Sequence, residues 1–254
     1  MKLKDFDSKI NSLLSPEKFD DFCPNGRLVD PDGNWDRQVH KVVTGVSLCD
    51  ELIAKAAGAN ADVLIVHHPN GFWKNERDKR LVGTFGRYMA ALVRHGIILY
   101  GYHLPLDAHE DIGNNVSICW QLCLDRGYVG RFMEHDIGVI CKCRVNDAAL
   151  DRVFPKGWSA FGPEPEDREY TVGICSGSGT SGLQEAADKG CDMFITGEVR
   201  ESTPIFAREN GITVISAGHH RTETFGVKAL AERLSPGWGF SGVNARFIDV
   251  DNPV

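Results

Sequence analysis

The order of apolar and polar positions along the chain predicts alternating strands and helices. Residues 3–14 carry apolar side chains at helical spacing, which predicts a short amphipathic helix. Val39 to Val46 is the first strong strand, and an alanine-rich helix separates it from a second strand at Val63–Val66. That order favours a parallel β-α-β unit with a right-handed crossover. A helix over 80–95, a strand at 97–100 and a helix over 114–124 follow.

The same order returns in the second half of the chain. A strand begins at Tyr170, a glycine-rich turn and a short helix follow it, and 190–198 forms the next strand. When the halves are aligned, His67-His68 match Gly197-Glu198. The segment between them, 127–169, is rich in glycine, proline and charge, which predicts short strands and a linker.

This repetition predicts an α/β protein built from two similar lobes that arose by internal duplication. The first lobe is predicted at residues 1–126 and the second at 127–254. A ligand site in the cleft between two such lobes is the natural expectation.

Three of the predicted strands end in side chains that bind metal ions. They are His67 and His68 after the strand at 61–66, His103 and Asp107 after 97–100, and His219 and Glu223 after 211–216. Adjacent strand residues point to opposite faces, so His67 and His68 fit two neighbouring ions better than one. His219 and Glu223, four residues apart in a predicted helix, share one face. Mixed imidazole and carboxylate ligands indicate a metal site, although the His-His pair alone would equally suit a core histidine beside a surface one.

Composition narrows the function classes. The chain has 254 residues, of which 42% are hydrophobic and 25% charged, as in ordinary globular proteins. A formal charge of −7 argues against a nucleic-acid-binding surface, although the sequence leaves open a local basic pocket around Arg77, Lys79 and Arg80. No apolar run approaches the roughly 20 residues that span a bilayer, and the N-terminus lacks the apolar core of a signal peptide. A cytoplasmic location without membrane association is expected.

Two further features leave alternatives open. Most of the eight cysteines lie in apolar runs and are predicted to be small buried hydrophobes. Cys141 and Cys143 could bind zinc with two more thiolates, but no second close pair at suitable spacing is evident. The glycine-rich turn Ser176–Gly182 could hold a phosphate through backbone N–H groups, or it could be a structural turn, since it lacks the lysine of a P-loop.

Several ordered motifs resemble one known family over nearly the whole chain. They are Pro24-Asn-Gly26, Thr44-Gly-Val46, Ile65-Val-His-His68, His103-Leu-Pro-Leu-Asp-Ala108, Gly113-Asn-Asn115, Asp192-Met-Phe-Ile-Thr-Gly-Glu198 and Gly218-His-His-Arg-Thr-Glu223. The chain resembles the Ngg-interacting-factor-three-like proteins, often labelled GTP cyclohydrolase I type 2 homologues, and most of all the short bacterial YbgI-like members.

The resemblance implies a dinuclear metal centre between two similar α/β lobes, in subunits assembled as a toroidal homohexamer. The metal ligands that it implies are His67, His68, Asp107, His219 and Glu223. Asp107 or Glu223 would bridge the ions, and His103 and Glu198 would lie beside them. The two ions could be Zn, Fe, Mn, Co or Ni.

Two functions from different classes follow. The first is a metal-dependent hydrolase of a nucleotide or related phosphorylated compound, in which Glu198 or His103 moves protons as general base or acid. The family label suggests opening of the guanine ring of GTP. The second is a non-catalytic metal-binding ring that regulates or binds other proteins.

Overall fold

The computed structural model describes residues 1–72, 80–123 and 127–254, which form two compact units. Unit 1 comprises Met1–Leu106 with Val227–Asp251, and unit 2 comprises Asp107–Gly226 with Asn252–Val254. Each unit contains one sheet, so the predicted α/β class is confirmed. No helix among the described residues is long and apolar enough to cross a membrane.

The helices and strands follow one another in this order. From the N-terminus they are α1 Leu3–Leu14, β1 Gly26–Val29, β2 Lys41–Ser47, α2 Asp50–Gly58, β3 Val63–His68, α3 Gly83–Arg94, β4 Ile98–Gly101, α4 Leu104–Asp107 and α5 Asn114–Leu122. There follow β5 Tyr128–Phe132, β6 Gly138–Val145, α6 Asp147–Val153, β7 Ser159–Phe161, β8 Arg168–Cys175, α7 Leu183–Asp188, β9 Met193–Thr196, α8 Thr203–Asn210, β10 Thr213–Ser216, α9 His219–Arg233 and β11 Asn244–Phe247.

The sheet of unit 1 has the strand order β1-β4-β3-β2-β11. Strands β11, β2, β3 and β4 run parallel, and β1 is antiparallel to β4. The interior of β3 is buried, as the unbroken apolar run before His67 requires of a parallel strand covered on both faces. The buried strand therefore fixes the backbone from which His67 and His68 emerge.

The sheet of unit 2 has the order β5-β6-β8-β9-β10-β7. Its parallel strands β8, β9 and β10 alternate with helices, as β2, β3 and β4 do in unit 1. In each unit an antiparallel strand flanks the last of these three strands. The repeated order agrees with the sequence pattern, while the internal duplication itself stays a prediction.

The short strands predicted within 127–169 are confirmed as β5, β6 and β7, but the segment is not a linker, because these strands belong to the sheet of unit 2. Strand β6 pairs antiparallel with β8 from Val139 to Val145. Residues 139, 141, 143 and 145 are buried while 142 and 144 are exposed. The period-two alternation was therefore present in the sequence, but the flanking glycine and proline clusters obscured it.

The units divide the chain differently from the predicted lobes at 1–126 and 127–254. Residues 107–126 fall within the bounds of unit 2, since α5 shares an apolar core with β6 and β8. Residues 227–251 belong to unit 1, since β11 pairs with β2. Both assignments depend on contacts between distant parts of the chain, which local patterns do not report. Arg77 and Lys79 of the suggested basic pocket lie outside the described residues.

Candidate metal centre

Three histidines of unit 1 form a group that could hold a metal ion. His67 and His68 end β3, and His103 follows β4, the neighbouring parallel strand. The ring centroids lie 4.6 Å apart for His67 and His68, and 5.0 Å and 5.6 Å from these two rings to His103. One nitrogen from each ring lies within 4.8 Å of the others. The structure thus brings together three of the predicted site residues, and His103, predicted to lie beside the ions, belongs to the same group.

Hydrogen bonds at Nδ1 orient each of these rings. The backbone oxygen of Tyr102 lies 2.9 Å from Nδ1 of His67, and a carbonyl oxygen can only accept. This contact places the proton on Nδ1 and the lone pair on Nε2. The Ser47 hydroxyl lies 3.2 Å from Nδ1 of His68. Oxygen partners at Nδ1 orient the rings of histidines that bind metals, and a carbonyl partner such as that of His67 also fixes the tautomer.

His103 has a carboxylate partner that sequence reasoning missed. Both Asp21 oxygens lie 3.1 Å from His103 Nδ1. The same carboxylate accepts from the backbone N–H groups of Cys23 and Leu104 and from the Asn25 amide. Burial opposes ionisation, but the hydrogen bond to His103 and these donors hold the pKa of Asp21 well below its usual range. Asp21 is therefore an ionised group that polarises His103. The sequence identified its surroundings only as a turn.

Asp21→Asn should weaken metal binding by the histidine group about 10–100-fold, because removing a carboxylate behind a metal-binding histidine typically has this effect. Zinc titration of metal-stripped protein by calorimetry would measure the change. Asp62→Asn is the matched control, since Asp62 also accepts backbone hydrogen bonds, from His40 and Lys41, but at the opposite end of β3. Equal zinc affinities in the two variants would contradict the role assigned to Asp21.

In unit 2, His219 lies between two carboxylates. Its Nδ1 is 2.7 Å from Glu198 Oε1, and its Nε2 is 3.2 Å from Glu223 Oε1. Burial disfavours the imidazolium, but the hydrogen bonds and charges of Glu223 and Glu198 outweigh it and raise the pKa of His219 to about 9. The predicted helical face shared by His219 and Glu223 is confirmed. One imidazole nitrogen and one buried carboxylate oxygen thus converge where a cation could replace a proton.

Asp107 is held within the same unit by a buried amide. The Asn114 side chain donates to Asp107 Oδ1 at 2.8 Å, and its oxygen accepts from the Gly226 N–H at 2.6 Å. Asn114 is fully buried and Asp107 is 7% exposed. The carboxylate is therefore fixed relative to the first turns of α9, the helix that carries His219 and Glu223.

The glycine-rich turn Ser176–Gly182 is occupied by contacts within the protein. The Ser176 N–H donates to the Asn115 side chain, and the Gly177 N–H donates to the Thr222 hydroxyl. Gly177 has φ +58°, and a Cβ there would collide with the Glu223 carboxylate. These contacts favour the structural turn over a phosphate-binding loop, and they explain why a glycine lies beside Glu223.

A cavity of about 550 Å³ in unit 2 opens beside Glu198. Trp158 and Arg221 also line it. The Glu198 side chain is 44% exposed, so the same carboxylate that binds His219 also reaches the cavity. In unit 1, Thr44 of the Thr44-Gly-Val46 motif is buried and donates to the Val227 carbonyl at 2.7 Å.

The donor sets fit a transition-metal ion. Imidazole nitrogens with carboxylate oxygens suit Zn, Fe, Mn, Co and Ni. Nδ1 of each of the four histidines His67, His68, His103 and His219 lies within hydrogen-bonding distance of a backbone, hydroxyl or carboxylate oxygen. That arrangement matches histidines that bind metal through Nε2.

Known proteins are similar to this chain in both sequence and fold. The profile of the family Duf34/NIF3 (NGG1p interacting factor 3) matches residues 1–253. The chain belongs to this family. Proteins named GTP cyclohydrolase 1 type 2 homolog from Vibrio cholerae and Haemophilus influenzae are 38% and 39% identical to it, each comparison covering 96% of both chains.

Solved structures of similar proteins have the same fold. A structure described as protein ybgI, of unknown function, superimposes with a TM-score of 0.87 at 33% identity and covers 100% of both chains. TTHA1606 from Thermus thermophilus gives a TM-score of 0.82 at 30% identity, covering 100% of this chain and 99% of that one. The resemblance identified from the motifs is therefore confirmed.

Proposed function

We propose that this family member is a metal-dependent hydrolase of a nucleotide or related phosphorylated compound. Two divalent transition-metal ions would be held by His67, His68, Asp107, His219 and Glu223. The observation that carries the proposal is the hydrogen bonding of the histidines, whose Nδ1 atoms each have an oxygen partner. This arrangement assigns Nε2 to metal binding. When bound, the ions would supply Lewis acidity toward the attacked centre and a water nucleophile at neutral pH.

Glu198 is the residue that we assign to proton transfer. One of its oxygens accepts from His219, and the carboxylate also lines the cavity, so a molecule bound there could exchange a proton with it. His103 is the second candidate, because the Asp21 carboxylate at Nδ1 fixes the orientation of its ring. Its place beside His67 and His68 also makes it a possible ligand.

The cavity offers groups suited to a nucleotide. The Trp158 ring could stack on a base, and the Arg221 guanidinium could bind phosphate oxygens. Trp158 is held by a hydrogen bond from its indole N–H to Asp151, and Arg221 by one to the Lys156 carbonyl. The names of the curated relatives point to GTP among nucleotides. The homohexameric toroid and the cytoplasmic location remain predictions.

Glu198→Gln should retain the bound metal while lowering turnover about 10²–10⁴-fold, the usual contribution of a positioned general acid or base. Glutamine keeps the shape and can still accept from His219, but it cannot take up a proton. Nucleotides, including GTP, would be incubated with zinc- or manganese-loaded protein and the products separated by chromatography. Elemental analysis would confirm equal metal content.

Glu201→Gln is the matched control, since Glu201 is an exposed carboxylate three residues along the chain. Turnover that is unchanged in Glu198→Gln would refute its role in proton transfer. A wild-type protein that holds its metals and hydrolyses none of the compounds would favour the non-catalytic metal-binding ring.

A further inference from the structure

Four buried cysteines of unit 2 converge away from the histidine and carboxylate groups. Cys119 and Cys123 lie at the end of α5, and Cys141 and Cys143 lie on β6. The sulfur atoms of Cys119, Cys123 and Cys141 are all within 4.8 Å of one another. Cys143 shares a thiol hydrogen bond with Cys123. The first three are at most 1% exposed and Cys143 is 7% exposed.

The local geometry explains why these four meet. Cys119 and Cys123 are four residues apart and share one helix face, while Cys141 and Cys143 are two apart and share one strand face. Helix α5 and strand β6 belong to the same apolar core, which turns both pairs inward. Cys119 and Cys123 are therefore the second thiol pair that the sequence analysis did not identify. They can be recognised as a pair only once α5 is known to pack against β6.

A cationic side chain belongs to the strand that neighbours the cluster. Arg131 lies on β5, opposite Val139 of β6. A guanidinium so placed would offset part of the negative charge of several thiolates, which is costly to bury without a counter-charge.

We propose that Cys119, Cys123, Cys141 and Cys143 bind one zinc ion, which joins the end of α5 to β6. Thiolates select soft or borderline ions, and four of them around zinc form a closed tetrahedral site with a structural role. Binding releases the thiol protons to solvent and forms four Zn–S bonds, so no oxidant or reductant is needed. This zinc site shares no ligand with the metal centre proposed for the hydrolase.

The test compares zinc content between a double variant of the cluster and a control variant. Cys119→Ala/Cys141→Ala should contain one zinc ion per chain fewer than the wild type. Cys191→Ala is the control, because this cysteine is buried in a different apolar cluster of unit 2 and should leave zinc unchanged. Equal zinc content in the two variants would overturn the proposal.

A second measurement on the unaltered chain covers the case in which the first variant fails to fold. X-ray absorption at the zinc edge should show a sulfur shell at about 2.3 Å, the usual Zn–S distance. Cobalt substituted for zinc should give an intense thiolate-to-metal charge-transfer band. A shell of nitrogen and oxygen only, or a disulfide among these four cysteines in freshly purified protein, would refute the site.

Discussion

His68→Ala is expected to remove at least one metal ion per chain while leaving the fold of both units intact. The ring lies at the end of β3, it is one of three imidazoles whose nitrogens lie within 4.8 Å, and Ser47 fixes its orientation. In the proposed site His68 is one of five ligands, and its loss eliminates an anchoring bond that the neighbouring rings cannot replace. Elemental analysis after zinc or manganese loading, with circular dichroism to verify the fold, would measure the effect.

The matched control is His95→Ala. His95 ends α3 in the same unit and is exposed, so its loss should change neither the metal content nor the fold. Asp107→Ala extends the test to unit 2, where the same proposal expects a sharp fall in metal content. Full metal content in His68→Ala would remove His68 from the ligand set, and little metal in the wild type would remove the hydrolase chemistry altogether.

The parts of the site that sequence reasoning found are those fixed by local structure. His67 and His68 follow an unbroken apolar strand, and the proximity of His219 to Glu223 follows from helical periodicity alone. The parallel arrangement of β3 and β4 then brings His103 to the same sheet edge as His67. In each case a short pattern determined both the element and the direction of the side chain.

The parts of the site that sequence reasoning missed depend on contacts between segments that are distant in the chain. Asp21 sits in a turn, and nothing in its own neighbourhood indicates that it will meet His103, 82 residues away. Cys119 and Cys123 likewise gain significance only when α5 packs beside β6. The units differ from the predicted lobes for the same reason, because β11 completes the sheet of unit 1 after the chain has passed through unit 2.

Asn114→Ala should lower the free energy of unfolding by about 2–5 kcal/mol, because it removes a fully buried amide that bonds two other buried groups. The Asp107 carboxylate loses a donor and the Gly226 N–H loses its acceptor, while burial keeps solvent from replacing either. Urea denaturation of metal-stripped protein, followed by fluorescence, would measure the loss. Asn210→Ala is the control. Asn210 is exposed and its amide donates to the Phe206 carbonyl within α8, so the variant should change the free energy of unfolding by no more than about 0.5 kcal/mol.

The Asp107–Asn114 contact predicts a further result that ordinary destabilisation would not give. Adding Asp107→Ala to Asn114→Ala should cost less than the sum of the single losses, because the second change removes the buried carboxylate that the first deprived of its donor. The expected coupling is about 0.5–3 kcal/mol, in the range for contacting residues. If the losses in the free energy of unfolding are additive, Asn114 stabilises the protein through Gly226 alone. Asn114 would then not be the residue that positions Asp107 for metal binding.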